Sequence, residues 1–227
     1  MSKLIYKEFK LCFHPMIPLF YGFVLMLLIP SYMYQVPFFF TTNAIFYMFQ
    51  RCVMNNDILY TALLPVAKRD TVRAMYIYVC LIQLIMLALY VPMIFVNHAL
   101  VGTANSAGVD ACVTLIGLGF IDFAIFNSVF LPSFYKTGYK AGRSFLISTI
   151  CVFAWMFVSE GFFIASSAAR EAVPFFAWVG ENLDCWPKTS GALTAQFIAL
   201  AIGAAVYAVS TLLSLKESEK RFDKVDL

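Results

Sequence analysis

The sequence predicts an all-α polytopic membrane protein with six transmembrane helices and an N-terminal interfacial helix. Three observations carry this. Hydrophobic residues make up 62% of the 227-residue chain and charged residues 13%, against about 45–50% and about 25% in a soluble domain, so it cannot cover itself with polar surface in water. Six stretches approach or reach the roughly 20 apolar residues that cross a hydrocarbon core of about 30 Å as a helix. The 16 Lys and Arg residues fall mostly into four clusters: Lys3, Lys7, Lys10; Arg51, Lys68, Arg69, Arg73; Lys136, Lys140, Arg143; and Lys216, Lys220, Arg221, Lys224. Basic clusters stay cytoplasmic, so an even number of crossings separates each from the next and both termini lie inside.

Taken in order, the first 15 residues read as a cytoplasmic interfacial helix. Leu4, Ile5, Phe9 and Phe13 lie on one side of Ser2–Phe13, with Lys3, Lys7 and Lys10 toward another, the pattern of a helix lying on a membrane surface. The first span is expected over Met16–Tyr34. It exceeds the 7–15 residues of a signal-peptide core, contains Pro18 and Pro30, and has no small-x-small cleavage site after it, so it is expected to remain in the mature protein. The second, Pro37–Met54, is interrupted by Thr41, Thr42 and Asn43 and ends near Arg51. A cytoplasmic segment over residues 55–73 then leads into the third span, Ala74–Asn97.

The remaining spans are Ala111–Leu131, Ser144–Phe163 and Ala192–Leu213. Residues 164–191 form an external segment in which Phe175, Phe176, Trp178 and Trp186 suit the membrane–water interface. The sixth span places Ala199 and Gly203, Ala201 and Ala205, and Ala204 and Ala208 four residues apart. Close helix packing in lipid uses such small residues; packing within one subunit is the plainer reading, a dimer face the alternative. Residues 214–227 form a cytoplasmic tail, and the whole chain, 1–227, is one transmembrane domain.

Chemistry-bearing motifs are scarce. There is no Gly-x-x-x-x-Gly-Lys-Ser/Thr phosphate loop, no His-Glu-x-x-His zinc helix and no Gly-x-Ser-x-Gly elbow, so no catalytic residues are assigned. His14 and His98 fall at opposite membrane faces, and no Cys-x-x-Cys pair exists, so no metal site is expected. Of the six cysteines, Cys12 and Cys52 are expected on the cytoplasmic side; only Cys112 and Cys185 could meet outside, and whether they pair stays open. The net charge of +3 is explained by topogenic clusters facing anionic lipid, not by nucleic acid. Asp122, mid-way along the fourth span, is either a translocation-path or coupling-ion residue or a structural carboxylate paired with Asn127 or Ser128. Glu160 is expected to be a surface carboxylate near the outer end of the fifth span.

The cytoplasmic segments are more specific. Asn55, Asn56 and Asp57 can cap a helix of about two turns that Pro65 ends, after which Lys68, Arg69, Asp70 and Arg73 open the third span. Leu63-Leu64-Pro65-Val66-Ala67-Lys68-Arg69-Asp70-Thr71-Val72 resembles the Leu-Pro-Val-Ser-Arg-Arg-Glu-Ile-Val stretch of small permeases of the bacterial type-2 ABC exporter class. The turn from Leu131-Pro132-Ser133-Phe134-Tyr135-Lys136 through Lys140 to Arg143 is similar to their Pro-x-x-Phe/Tyr-Lys-x-Gly-Tyr-x-Lys-Gly-Arg turn between spans four and five. Leu4-Ile5-Tyr6-Lys7-Glu8-Phe9-Lys10 resembles their opening Leu-Leu-x-Lys-Asp-Phe. Ala67 departs from the pattern, standing where the family has the Ser that caps the third helix.

The resemblance implies a permease subunit, not itself an enzyme, that works with ABC ATPase subunits and a second permease copy or paralogue in a bacterial plasma membrane. It implies no cofactor in this chain, ATP and magnesium being held by the ATPase partner. Lys7, Glu8, Asp57, Leu63, Leu64, Pro65, Lys68, Arg69 and Asp70 would transmit the ATPase motion, with Tyr135, Lys136, Lys140 and Arg143 as a second cytoplasmic contact. Resemblance to exporters of phenol-soluble-modulin-like toxins and lantibiotics implies amphipathic peptide cargo. The rivals are a drug or lipid exporter permease and a non-transporting peptide-sensing or immunity protein.

Overall fold

A computed structural model of the chain describes residues 6–7, 10, 12–56, 60–61, 67–102, 104–137 and 140–224, and every regular element among them is a helix. The order is α1 (Met16–Tyr21), continued by a 3-10 helix (Gly22–Leu28); α2 (Val36–Met54); α3 (Lys68–Leu100); α4 (Val113–Thr137); α5 (Ala141–Ala168); α6 (Pro174–Asn182); and α7 (Ser190–Asp223). Of the predicted N-terminal interfacial helix, Tyr6, Lys7, Lys10 and Cys12 are described and helical.

Four helices, α3, α4, α5 and α7, are long and apolar enough to cross a membrane. The first predicted span is shorter than expected. Ile29 is extended at φ −88° and ψ 115°, the conformation favoured before a proline, and Ser31 at φ 55° turns the chain, so the apolar helix ends at Leu28. In α2 the interrupting polar groups are satisfied within the helix: the Thr41 hydroxyl donates to the Pro37 carbonyl at 3.1 Å and the Thr42 hydroxyl to Phe39 at 2.8 Å. That lets a less apolar helix lie among rings, with Phe38 stacked on Tyr90 at 4.2 Å and Phe46 on Phe145 at 4.1 Å. The last predicted span is longer than expected, because α7 runs without a break into the tail.

The core divides into one half, around Phe49, Val79, Phe126, Phe130 and Phe134, on the side of the chain's two ends and an opposite half around Leu27, Phe38, Tyr90, Leu115 and Phe123. α4 and α7 form the most intimate pair. A Cβ placed on Gly203 would overlap the Gly117 carbonyl, and one on Gly117 would lie 3.0 Å from the Ala199 carbonyl oxygen. The small-residue stripe at Ala199 and Gly203 thus packs within the subunit.

That close approach brings polar side chains into register. Gln83 of α3 and Asn127 of α4 exchange amide hydrogen bonds at 2.8 and 3.0 Å. The Tyr207 hydroxyl donates to Gln83 at 2.8 Å, and Asn127 donates to Thr211 at 3.2 Å. Ser214 donates to the Asn127 carbonyl at 2.7 Å, and the Tyr76 hydroxyl lies 2.7 Å from both Ser214 and Ser218. These groups are buried, where an unmet donor or acceptor would be costly, so the ladder fixes the rotation of α3, α4 and α7 about one another.

At the end opposite the chain's two ends the loop before α4 is tied down on several sides. The Asn105 side-chain amide donates to the Tyr32 and Val109 carbonyls at 2.9 and 3.0 Å, and its backbone N–H bonds the Asp110 carboxylate. The Val109 N–H donates to Glu160 at 2.8 Å and the Asp110 N–H to Asp184 at 2.7 Å. Glu160, expected at the surface, is buried because this loop folds over it. Trp186 stacks on His98 at 4.0 Å and closes one side of a cleft of about 220 Å³. Cys112 and Cys185 are free thiols, donating to the carbonyls of Leu183 and Glu181.

Two outcomes follow from this packing. Gly203→Ala is expected to destabilise the fold by about 1–3 kcal/mol, the usual cost of overpacking, because the atom it meets is backbone. Gly161→Ala, with nothing within 4 Å of its Cβ, should leave thermal unfolding in detergent unchanged. The second concerns Asp184, whose carboxyl burial pushes up to about 7, aided by the Asp110 and Glu160 carboxylates. An acid with a raised folded-state pKa stabilises fully below its unfolded value near 4 and loses that stabilisation as pH rises through about 7. Melting temperature should therefore fall across that window, and less steeply in Asp184→Asn, which keeps the acceptor for the Asp110 N–H.

Candidate functional site

The end of the bundle that holds Cys12 and Phe222 gathers several residues singled out by sequence. α3 opens at Lys68 with Ala67 as its N-cap, and no side chain caps it, as the Ser-to-Ala departure implies. Asp70 occupies the first turn, where a carboxylate favours the positive end of the helix dipole. α7 arrives beside it with its charged tail still helical. Arg69 reaches Asp223 with Nη2 at 2.8 Å and Nε at 3.0 Å, and Arg73 reaches Glu219 at 2.7 Å and Asp70 at 3.8 Å. Two acids of α7 thus face two guanidinium groups across the α3–α7 seam, with Asp70 beside Arg73 on α3.

An apolar anchor lies beneath these charges. Phe222 is buried, its ring 5.3 Å from Tyr135 of α4 at 68°, with the Lys68 ammonium 5.9 Å from its centroid. Arg221 donates to the Pro132 carbonyl at 3.1 Å and to Glu217 at 2.8 Å; the bond to Glu217 holds that carboxyl below the usual range, just as the bond Arg69 donates to Asp223 raises Arg69. The α7 tail therefore joins the start of α3 to the end of α4. Glu217, Glu219, Phe222 and Asp223 were not singled out as site residues. Their signal is the spacing of Glu217, Arg221 and Glu219, Asp223, which continues a helix face past the apolar stretch.

The N-terminal segment is attached to the same end. Lys7 Nζ donates to the Thr61 hydroxyl at 2.7 Å, which joins it to the 55–73 segment, and Arg51 donates to the Phe13 carbonyl at 2.8 Å. The Cys12 and Cys52 thiols are buried together, 2.6 Å apart. His14 stacks on Tyr47 at 5.7 Å, and burial, with the Arg51 guanidinium, lowers its imidazole pKa. Glu8, Asp57, Leu63, Leu64 and Pro65 lie outside the described residues.

The second predicted contact divides. Tyr135 belongs to the Phe222 anchor, whereas Lys136, Lys140 and Arg143 are exposed. Lys140 and Arg143 border a cleft of about 480 Å³ shared with Gln50, Val53 and Met54 at the end of α2. Asp122 stands apart from all of these, fully buried in α4 with neither carboxylate oxygen hydrogen-bonded. Its pairing with Asn127 or Ser128 does not occur, because Asn127 is engaged by Gln83 and Thr211 and Ser128 donates to its own helix at Ala124. Among the described residues no group of three His, Cys, Asp or Glu side chains could hold a metal. The arrangement joins the N-terminal segment, Thr61 and the ends of α3, α4 and α7 at one end of the bundle.

Comparison with known proteins agrees with this character. A family model described as ABC-2 family transporter protein matches residues 3–218. No curated protein and no solved structure matches.

The anchor and the ion pairs can be separated experimentally. Phe222→Ala removes a buried ring, a change that typically costs about 3 kcal/mol or more, and should speed tryptic cleavage within the tail of the purified protein. Arg69→Ala removes an exposed ion pair, which contributes little, and should leave the cleavage rate close to that of the wild type.

Proposed function

The chain belongs to the ABC-2 family of transporter proteins, matched from residue 3 to residue 218, and we propose that it is the membrane-spanning permease of an ATP-driven exporter of amphipathic peptides. The family makes it a membrane component of an ABC transporter, with ATP hydrolysis in partner subunits. On our reading two ATPase subunits and a second permease, identical or paralogous, complete the assembly in a bacterial plasma membrane. ATP and magnesium belong to the ATPase. The α1–3-10 segment and α2 serve as the first two of six spans, and both termini lie inside, as the basic clusters require.

The observation that carries the mechanism is the continuity of α3 and α7 from the bundle into the cytoplasmic anchor. ATPase subunits closing on ATP would move the 55–73 segment. Lys68, Arg69 and Asp70 follow it directly, being the first turn of α3. The Arg69–Asp223 and Arg73–Glu219 pairs and the Phe222 anchor carry the displacement to α7 and, through Tyr135 and Pro132, to α4. The buried ladder around Gln83 and Asn127 makes the three helices move together. ATP binding thereby shifts the bundle between two populations, one with the path closed and one with it open. Lys7 brings the N-terminal segment into the same motion through Thr61. Peptide cargo is supported by the family resemblance and by the external segment with Phe175 and Trp178 exposed.

Co-expression with the ATPase encoded beside it should give a complex containing both proteins, and an amphipathic peptide should stimulate its ATP hydrolysis and accumulate across the membrane only with ATP. Replacing Leu63 and Leu64 with Asp puts charge where apolar docking is expected, and the loss of one buried anchor commonly costs above about 2 kcal/mol. The complex should then fail to form on co-purification. An undiminished complex with unchanged ATP hydrolysis removes this segment from the interface, and peptide binding without ATP-dependent movement favours a sensor or immunity protein.

A further inference from the structure

The outer half of the bundle buries two carboxylates that have no counter-charge. Asp122 has no exposed surface, and neither of its oxygens has a hydrogen-bond partner. Rings lie beside it: Tyr90 is near enough to Asp122 to interact with it, and Gly119, one turn earlier on α4, packs against Phe38, which stacks on Tyr90. Glu160 is 1% exposed. Its Oε2 accepts the Val109 N–H, while its Oε1 is unpartnered. The two carboxylates are near enough to act on each other electrostatically, and both act on Tyr90 of α3.

The groups facing this pair from the packed elements are acidic or neutral. Asp184 precedes α7 and is close enough to interact with Glu160, and Asp110 of the outer loop faces Asp184. Gln35 and Ser159 bond each other at 3.0 Å beside Glu160. Arg170 interacts with Asp184 instead of Asp122 or Glu160, and Lys188 lines the outer cleft. A metal cation would need several oxygen ligands, which the rings around Asp122 do not supply. A carboxyl group in hydrocarbon surroundings without partner or cation is accommodated by carrying a proton.

We propose that Asp122 and Glu160 form a proton-binding pair that holds one exchangeable proton in the outer half of the bundle. Glu160, which accepts a backbone N–H, is the member that bears charge, and Asp122 is the member that holds the proton. Exchange is with water on the outer side: a hydronium ion gives up its proton to the pair and leaves as water, and deprotonation reverses this. The gate is the loop over Glu160, fitted so closely that a Cβ on Gly108 would overlap its carboxylate. The site itself does not depend on the export reading. Its consequence, a permease whose closed outer end is favoured by external acidity, rests on that reading.

The test uses the full chain in lipid without ATPase or nucleotide, so its failure is separate from failure of the export reading. Infrared spectra at neutral pH should contain a protonated-carboxyl carbonyl band that is lost in Asp122→Asn, an isosteric change, and kept in Asp184→Asn, whose own partly protonated carboxyl gives a separate component. Glu160→Gln removes the repelling charge, so the band should persist but be lost at lower pH than in the wild type. Indistinguishable spectra of wild type and Asp122→Asn from acid to alkaline pH would overturn the proposal. So would an unmoved titration in Glu160→Gln, which leaves no pair. Loss of the band on adding sodium at fixed pH would assign the site to a metal cation instead.

Discussion

The backbone contact between Gly117 and Gly203 is the constraint on which the rest of the bundle depends. With lipid on one side and no water within, apolar side chains gain little by choosing protein over hydrocarbon, so helices associate by close fit and internal hydrogen bonds. Two glycines facing each other let α4 and α7 approach to backbone distance. Only at that separation do the Ser214 hydroxyl and the Asn127 carbonyl meet, and α3 is then drawn in through Gln83 and Tyr76. The aromatic core fills the remaining space between these helices and α2.

The two ends of this frame are built from different chemistry. At the end that holds the Arg69–Asp223 pair, arginines meet carboxylates in the open, over a buried ring, an arrangement that tolerates water and sliding. At the opposite end Asp110, Glu160 and Asp184 accept backbone N–H groups from a folded-over loop and its flanks. Exposed ion pairs are individually weak and remake easily. The loop is held by several acceptors at once, with Glu160 buried beneath it.

The long apolar stretches of α3, α4, α5 and α7 were legible in the sequence because hydrocarbon thickness dictates them, and Ala67 was legible as the start of α3. The 34-residue length of α7 was not, since hydropathy marks where a helix leaves lipid and is silent on whether it continues. The break after Leu28 was concealed because Pro30 sits inside an otherwise apolar run. Burial of Glu160 was missed for a different reason: the loop that covers it is over fifty residues away in sequence and has no periodicity to announce its path. Arg69 and Arg73 stood out in the sequence but their partners did not, because Glu219 and Asp223 find Arg73 and Arg69 only after four membrane-length helices, α3, α4, α5 and α7, bring the chain back to the same face.

The seven-residue 3-10 turn after α1 has a consequence for reach. At about 2.0 Å per residue against about 1.5 Å for an α-helix, the 6 residues of α1 and the 7 that follow extend about 23 Å instead of about 19.5 Å. A stretch too short to traverse the bilayer as ordinary helix is thereby drawn out by two-thirds of a turn. Rewinding those residues into α-helix would retract that length by about 3.5 Å and would turn Val24 and Leu27 away from the core and from Asn97, so the packing holds the first helix at its longer pitch.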